Sequence, residues 1–526
     1  MRSIVTAMAI CLANLAVFAQ DDAQKFANTI TADDLKKHLT IVASADMEGR
    51  ETGTEGQRKA AAYIESQFKM LGLQSPTSLN GYQQSYPIYK DSFLFSSLKI
   101  GKKNYEFAKD FINSPPAIVE PYFKAKKIVF VGYGIDDSLY NDYAGKDVKG
   151  KIVVFVAGEP KKDGNYIVSG TSKSSIWTYP GISRKVAAAK KRGALAAFVI
   201  NPALTSLSQA QIDNARKTSM YFPSNDDSSK KMDYIAIMPS IAKNILGDEV
   251  FADVIKRATA YEPLMGIQKE TKAKTRFNYT RQRIPYNSSN VIGFIEGSDK
   301  KDEYVFLTAH YDHLGKIGDR IYYGADDDGS GTVSVIEMAE AFSQAKREGK
   351  GPRRTVVFMT VSGEEKGLWG SEYYSDHPVF PLDKTSVDLN TDMVGRVDTE
   401  RNTADSLNYI YVIGHNKLSS DLPVINETAN KTSSNLTLDY KFDDPNDFER
   451  IYYRSDHYNF AKKGVPVLFF YDGMLKADYH KPTDTVDKIN FELMEKRVQM
   501  IFVTAWEIAN RDAMLKRDIP LPKMER

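Results

Sequence analysis

A three-layer α/β/α sandwich around a mixed, mostly parallel sheet is the fold predicted for the carboxyl-terminal half of this 526-residue chain. Three observations carry that prediction. Short apolar runs recur at 289–297, 304–310, 354–363, 386–395, 408–414 and 465–473, with helical patterns such as 331–346 and 491–509 among them. Several of the runs are near-continuously apolar instead of alternating, the pattern of strands covered on both faces. Residues able to do chemistry gather directly after the runs, where open α/β sheets place their sites.

Taken in order, the chain opens MRSIVTAMAICLANLAVFAQ: Arg2, an apolar run from Ile4 to Phe18, then Ala19 before DDAQK. A positive start, a short apolar stretch and a small residue at its end describe a signal peptide over 1–19 and predict a secreted or periplasmic protein. The run is too short and too rich in Ala for a comfortable membrane span. The single cysteine, Cys11, lies in this segment. Ile10 stands before it where lipid attachment wants a small residue, so anchoring is not expected. The remaining chain then has no disulfide, no thiolate nucleophile and no Cys-ligated zinc. A hydrophobic share of 42% against 26% charged is that of an ordinary globular protein. The net charge of +2 gives no electrostatic footprint for nucleic acid or an anionic membrane.

From Asp33 to Leu73 the pattern is helical: Ala61, Ile64, Phe68 and Leu71 recur at spacings of three and four. Thr54 and Gln57 form the pattern of a capping box, Gly72 supplies a stop, and Arg50 is read as a structural residue of the loop MEGRETGTEG. After about Pro115 the runs 126–134, 151–158 and 194–202, with a helical stretch at 184–194, predict a small separate α/β or β-barrel-like module. The polar, weakly periodic segment 206–274 is read as closing it. The organisation is therefore 1–19, 20–115, 116–282 and 283–526, the second and fourth segments forming one domain.

Five clusters follow predicted strands. The run 304–310 ends in His310-Tyr311-Asp312, and the next loop is Gly324-Ala325-Asp326-Asp327-Asp328-Gly329-Ser330-Gly331. The run 354–363 leads into Glu364-Glu365, the next ends on Asp392, and 465–473 precedes Tyr479-His480 and Lys481-Pro482-Thr483-Asp484-Thr485. Imidazole nitrogen and carboxylate oxygen suit zinc, with cobalt and manganese as alternatives. Two ions held close together need a shared carboxylate, and an Asp of the Gly-flanked loop can supply it. Asp312, two residues past His310 on an extended chain, points the same way and is placed to bond the far nitrogen of the ring. Of Glu364 and Glu365, one can bind metal while the other takes a proton from water.

This series resembles the co-catalytic zinc exopeptidase family, which includes bacterial leucyl aminopeptidases, aminopeptidase Y and glutamate carboxypeptidase. The resemblance covers the N-terminal helical region and 285–526. Residues 116–282, through GYGIDDSLYNDYAGKDVKGKIVVFVAG and RGALAAFVINP, resemble the β-rich protease-associated domain that many members carry as an insertion. The resemblance implies two zinc ions per chain, with His310 and Asp392 on one, Glu365 and His480 on the other, and Asp327 bridging. It also implies a cis Asp327–Asp328 peptide, Glu364 as general base, Asp312 as the carboxylate behind the metal ligands, and Tyr479 helping to hold the oxyanion.

The function so implied is a zinc-dependent exopeptidase acting on peptides, foremost an aminopeptidase. The alternatives are a carboxypeptidase or dipeptidase of the glutamate carboxypeptidase type, which needs arginines near the site, and a non-catalytic binding protein on the same fold. Glutaminyl cyclases keep one working zinc, whereas the ligand set here is complete for two. Ser455-Asp456-His457 has the residue types of a nucleophile triad, but the residues are contiguous with no nucleophile elbow before them, so a structural or pocket-wall role is expected. His313, Arg396 and Tyr458 are pocket candidates, and His38, His377 and His415 are read as ordinary surface or core residues.

Overall fold

The computed structural model describes residues 21–113, 122–178, 181–216, 220–223, 234–444 and 446–522. The expected signal peptide and Cys11 lie outside them. The chain forms two compact units, one of residues 1–87 and 287–526, the other of residues 88–286.

In the first unit the strands run Thr437–Asp439, Tyr409–Ile413, Val467–Tyr471, Thr385–Thr391, Lys300–His310, Arg354–Val361 and then the end of Glu270–Ile295. Lys300–His310 is parallel to both of its neighbours, and Thr385–Thr391 is parallel to Val467–Tyr471. Antiparallel pairs flank this parallel centre on both sides. The sheet is mixed and mostly parallel, as its apolar runs predict.

Successive residues of a strand face opposite sides of a sheet, and here each side has its own core. Val305, Leu307, Val356 and Phe358 join a cluster with Leu35, Ile64, Phe342, Phe502 and Trp506 from the helices Ala32–Val42, Glu55–Met70, Gly331–Arg347 and Phe491–Asn510. Phe306, Val357, Met359 and Phe469 join a second cluster with Tyr374 and Phe460 from Trp369–Asp376 and His457–Lys462. Two apolar faces and two helix layers make the three-layer sandwich. Each fully buried large side chain contributes about 2 kcal/mol, so neither face can do without its cover.

The N-terminal helical region divides into two helices joined by the turn Ala45–Arg50. The expected capping box does not form: Thr54 is the N-cap, but its N–H donates to Glu51 O. Gln57 Oε1 accepts from Gly53 N (3.2 Å), but the Thr54 hydroxyl donates to Glu51 O (2.6 Å) instead of accepting from its own helix. Gly72, at φ 75°, ends that helix as expected, its N–H donating to Lys69 O at 3.1 Å.

His38 is a core residue. Its Nδ1 meets Tyr63 Oη at 2.6 Å and its Nε2 lies 3.3 Å from Glu337 Oε1. Burial pushes the Glu337 carboxyl up to about 8 and lowers the His38 imidazole, so a neutral Glu337 lies against a neutral ring. The folded state then binds a proton that the unfolded chain has released above its ordinary glutamate value, so this contribution is lost as pH rises toward 8. It amounts to roughly 3 kcal/mol between pH 5 and 8. Glu337→Gln is expected to remove most of that pH dependence, measured as unfolding free energy at the two pH values. An unchanged slope would contradict the neutral pair.

The second unit is α/β rather than a closed barrel. Strands Tyr122–Phe130, Ile152–Val156, Ala196–Ile200 and Tyr234–Ile237 are parallel in that order, with Phe111–Asn113 antiparallel at one edge and Glu270–Asn278 antiparallel at the other. The predicted helix appears as Ile182–Lys191. The segment 206–274 holds more order than its weak periodicity suggests: helices Gln209–Arg216, Pro239–Leu246 and Asp248–Thr259, the middle one burying Ile241, Ile245 and Leu246.

Candidate metal centre

The five sequence clusters meet at the carboxyl edge of the first unit's sheet. His310 is the last residue of its strand, Asp392 follows Thr385–Thr391 directly, and Glu364-Glu365 follow Arg354–Val361 after a short turn. Tyr479 and His480 come from the loop beyond Val467–Tyr471, with His480 at φ 56°.

Asp327 sits between two groups. Its Oδ1 is 3.4 Å from His310 Nε2, which is itself 3.6 Å from Asp392 Oδ1. Its Oδ2 is 3.2 Å from His480 Nε2, which lies 3.1 Å from Glu365 Oε2. Each oxygen of one carboxylate thus faces its own imidazole and its own second carboxylate. Glu364 approaches the first group, with Oε2 3.9 Å from His310 Nε2.

The remaining acids of the loop hold it in place. Asp328 Oδ2 accepts from His310 N (3.1 Å), and its Oδ1 accepts from Gly331 N (2.8 Å) and Met393 N (3.1 Å). Asp326 Oδ1 accepts from Gly395 N at 2.8 Å. Asp484 accepts from Asp326 N and Asp327 N, each at 3.1 Å. Asp328 and one oxygen of Asp326 are engaged by backbone donors, while the middle carboxylate faces the site. The Asp327–Asp328 peptide is cis, as the resemblance implies.

Asp312 differs in detail from expectation. His310 Nδ1 meets the backbone oxygen of Asp312 at 3.1 Å, while the Asp312 carboxylate is 3.7 Å away. That carboxylate instead accepts from Thr52 Oγ1 (2.6 Å) and Glu364 N (3.2 Å). It positions Glu364 and orients the imidazole only through its own main chain.

Several residues given only structural or pocket roles in the sequence support the site. Arg50, fully buried, donates to Tyr311 O (2.8 Å), Val42 O (2.8 Å), Tyr323 O (2.7 Å) and Gly324 O (2.8 Å). It ties the loops carrying Asp312 and Asp327 to the N-terminal region. Ser455 Oγ donates to Asp392 Oδ2 at 2.6 Å, and Asp456 accepts from Ser371 at 2.5 Å. His457 Nε2 donates to Tyr452 O at 2.8 Å, and burial lowers that ring to about 3, so it stays neutral. The Ser-Asp-His run is supporting structure, as expected. Arg396 pairs with Asp478 at 2.9 Å, and Tyr458 packs on Tyr453. The signal for Asp484 was its place in the Tyr-His-x-x-x-Asp-Thr series; nothing nearby in sequence marks Thr52.

Burial works against every charge here. It lifts the Glu364 carboxyl well above the ordinary range, opposed by His310 but reinforced by Glu365 and Asp392. Burial opposes the Asp327 charge too, yet His310 and His480 hold that carboxyl well below its usual value. His480 is lowered by burial but pushed up to about 10 by Asp327 and Glu365.

The donor set fits bound cations. His310, Asp327 and Asp392 offer one group of ligand atoms, and His313, Asp327 and Glu365 another, each within 4.8 Å mutually. Asp327 Oδ2 and Glu365 Oε1 are buried without hydrogen-bond partners, an arrangement costly unless a cation satisfies them. Beside the groups lies a small pocket of about 40 Å³ lined by Glu364, Asp392, Met393, Arg454, Tyr471 and Tyr479, among others.

Residues 290–505 match the family profile described as peptidase family M28. Aminopeptidase YwaD of Bacillus subtilis (strain 168) is 25% identical over 262 residues, 48% of this chain and 52% of that protein. A probable zinc metalloprotease of Leptosphaeria maculans is 28% identical over 211 residues, 39% and 45% of the two chains. A probable leucine aminopeptidase of Arthroderma otae is 29% identical over 216 residues, 40% and 55% of the two. The chain therefore spans about half the length of these curated relatives. In fold it is similar to the solved aminopeptidase from Aneurinibacillus sp. strain AM-1, with a TM-score of 0.51 at 20% identity over 95% of this chain and 100% of that one.

Proposed function

We propose that the protein, whose residues 290–505 match the profile of peptidase family M28, is a zinc-dependent exopeptidase that holds two metal ions and removes residues from the amino end of peptides. The observation that carries the reading is Asp327, whose two oxygens each face a separate His and carboxylate. Bound at such groups, zinc supplies Lewis acidity toward a carbonyl oxygen and makes water acidic enough to act as a nucleophile.

The chain's own residues supply the rest. Glu364, oriented by the contact of its N–H with Asp312, takes a proton from the attacking water and returns it to the departing amine. Burial, reinforced by Asp327 and Glu365, keeps the Tyr479 phenol protonated. Its O–H is thereby available to donate to the oxyanion of the tetrahedral intermediate. Carboxylates lining the pocket suit an ammonium group, and two of the relatives are named aminopeptidases.

One observation favours cleavage from the other end. Arg454 lines the same pocket, its Nη2 donating to Tyr479 Oη at 3.3 Å, and a guanidinium there can receive a substrate carboxylate. It is a single arginine, and Glu449 lies 3.7 Å from it.

A set of short peptides offered to zinc-loaded protein with free and with acetylated amino ends separates these readings. Sequential release from free-amine peptides alone is the expected result. Equal cleavage of blocked peptides would overturn the aminopeptidase assignment, and no cleavage of either would overturn the peptidase reading.

A further inference from the structure

A sixth side chain, outside the five ligands that the family resemblance assigns, is placed as a ligand. His313 is fully buried, and neither of its ring nitrogens has a hydrogen-bond partner. Leaving such polar atoms buried and unpartnered is costly, so an unpartnered buried imidazole calls for an explanation.

Its surroundings give one. Nδ1 is 2.8 Å from Glu365 Oε1 and 3.8 Å from Asp327 Oδ2. Those two oxygens also lack hydrogen-bond partners. The 2.8 Å approach is within hydrogen-bond distance, yet the pair does not form a hydrogen bond. Three lone-pair atoms that crowd together without bonding one another are arranged as the ligands of one cation, which sit about 2.0–2.2 Å from it.

The ring is also confined. A Cβ added at Gly324 would come within 2.5 Å of His313 Cγ, so the backbone of the Asp327 loop lies flat against the imidazole. On its other side the main chain of His313 donates to Arg50 O at 3.3 Å. The Arg50 network thus sets both the loop and the ring that packs on it.

We propose that His313 is a further protein ligand of the site formed by Asp327, Glu365 and His480, bonding through Nδ1. The inference rests on the dinuclear reading above. It makes the two sites unequal: His310, Asp327 and Asp392 on one side, and two imidazoles with two carboxylates on the other. The richer site fills first and holds its ion more tightly.

The test uses cobalt(II) as a visible probe on the full-length protein. Wild type is expected to take up two equivalents, one much more tightly than the other. His313→Gln is expected to weaken the tighter equivalent by about 100-fold or more, as loss of ligand-shell contacts does, and to shift its visible d–d absorption. A second variant guards against misfolding. His313→Cys in a Cys11→Ser background leaves one thiol in the chain. A thiolate there can reach the ion, because its bond to zinc-like metals is longer, about 2.3 Å against 2.0–2.1 Å for imidazole. It should give a new near-ultraviolet thiolate-to-cobalt band at one equivalent. Two equivalents in wild type with an unchanged profile in His313→Gln and no thiolate band in His313→Cys would overturn the inference alone. Wild type that takes up no cobalt would overturn the dinuclear reading with it.

Discussion

Glu364→Gln is expected to lower turnover by about 10³-fold or more while leaving metal content unchanged. Glutamine keeps the shape of the side chain but cannot accept a proton, and a positioned general base contributes about 10²–10⁴-fold. Here the base also returns the proton to the departing amine, so two steps suffer. The residue is held for this work by the contact of its backbone N–H with Asp312, and its carboxylate stands 3.9 Å from the His310 ring. It is not one of the ligand atoms gathered around Asp327, so metal analysis of the variant should match wild type. Activity within tenfold of wild type would refute the assignment; loss of an ion would show Glu364 to be a ligand instead.

Arg50→Lys is expected to cost about 3–5 kcal/mol of stability, read from denaturant unfolding of the metal-free protein. The guanidinium makes hydrogen bonds to four carbonyl oxygens from three separate stretches of chain. An ammonium has only three donors and no planar fork. At least one buried carbonyl then loses its partner, and the charge itself stays in the interior. The cost should also appear at the site, because Tyr311 lies between His310 and Asp312 and Gly324 begins the Asp327 loop. Weakened metal retention is therefore expected alongside the lower stability. Stability within about 0.5 kcal/mol of wild type would mean that the network is dispensable.

The contrast between these two residues explains what could be read from the sequence. The pair Glu364-Glu365 was legible as part of the site because the sheet brings together residues that follow its strands, and the strands announce themselves as apolar runs; the choice of Glu364 as base comes only from the family resemblance. The same logic exposes His310, Asp327, Glu365, Asp392 and His480. Arg50 was read as a structural residue of its loop, but its contacts could not be read, since its partner Tyr311 is 261 positions away. Thr52 and Asp312 are similarly remote, at 260 positions. A supporting contact made across such a distance leaves no local pattern.

His313 was obscured differently. The His-x-Asp spacing accounts for His310 and Asp312, and one more histidine beside them adds nothing to it. Only the packing of Gly324 against the ring and the two orphaned nitrogens distinguish it. The helices of 206–274 were missed because they are short and carry polar faces. Periodicity over two or three turns is too weak to separate a helix from a loop.

The central claim is that Asp327 stands between two metal ions. Diffraction from zinc-loaded crystals, recorded at the zinc absorption edge, tests it most directly. Two anomalous peaks about 3.5–4 Å apart are expected, one beside His310 and Asp392 and the other beside Glu365 and His480, with an oxygen of Asp327 facing each. A single peak, or two peaks not joined by Asp327, would contradict it.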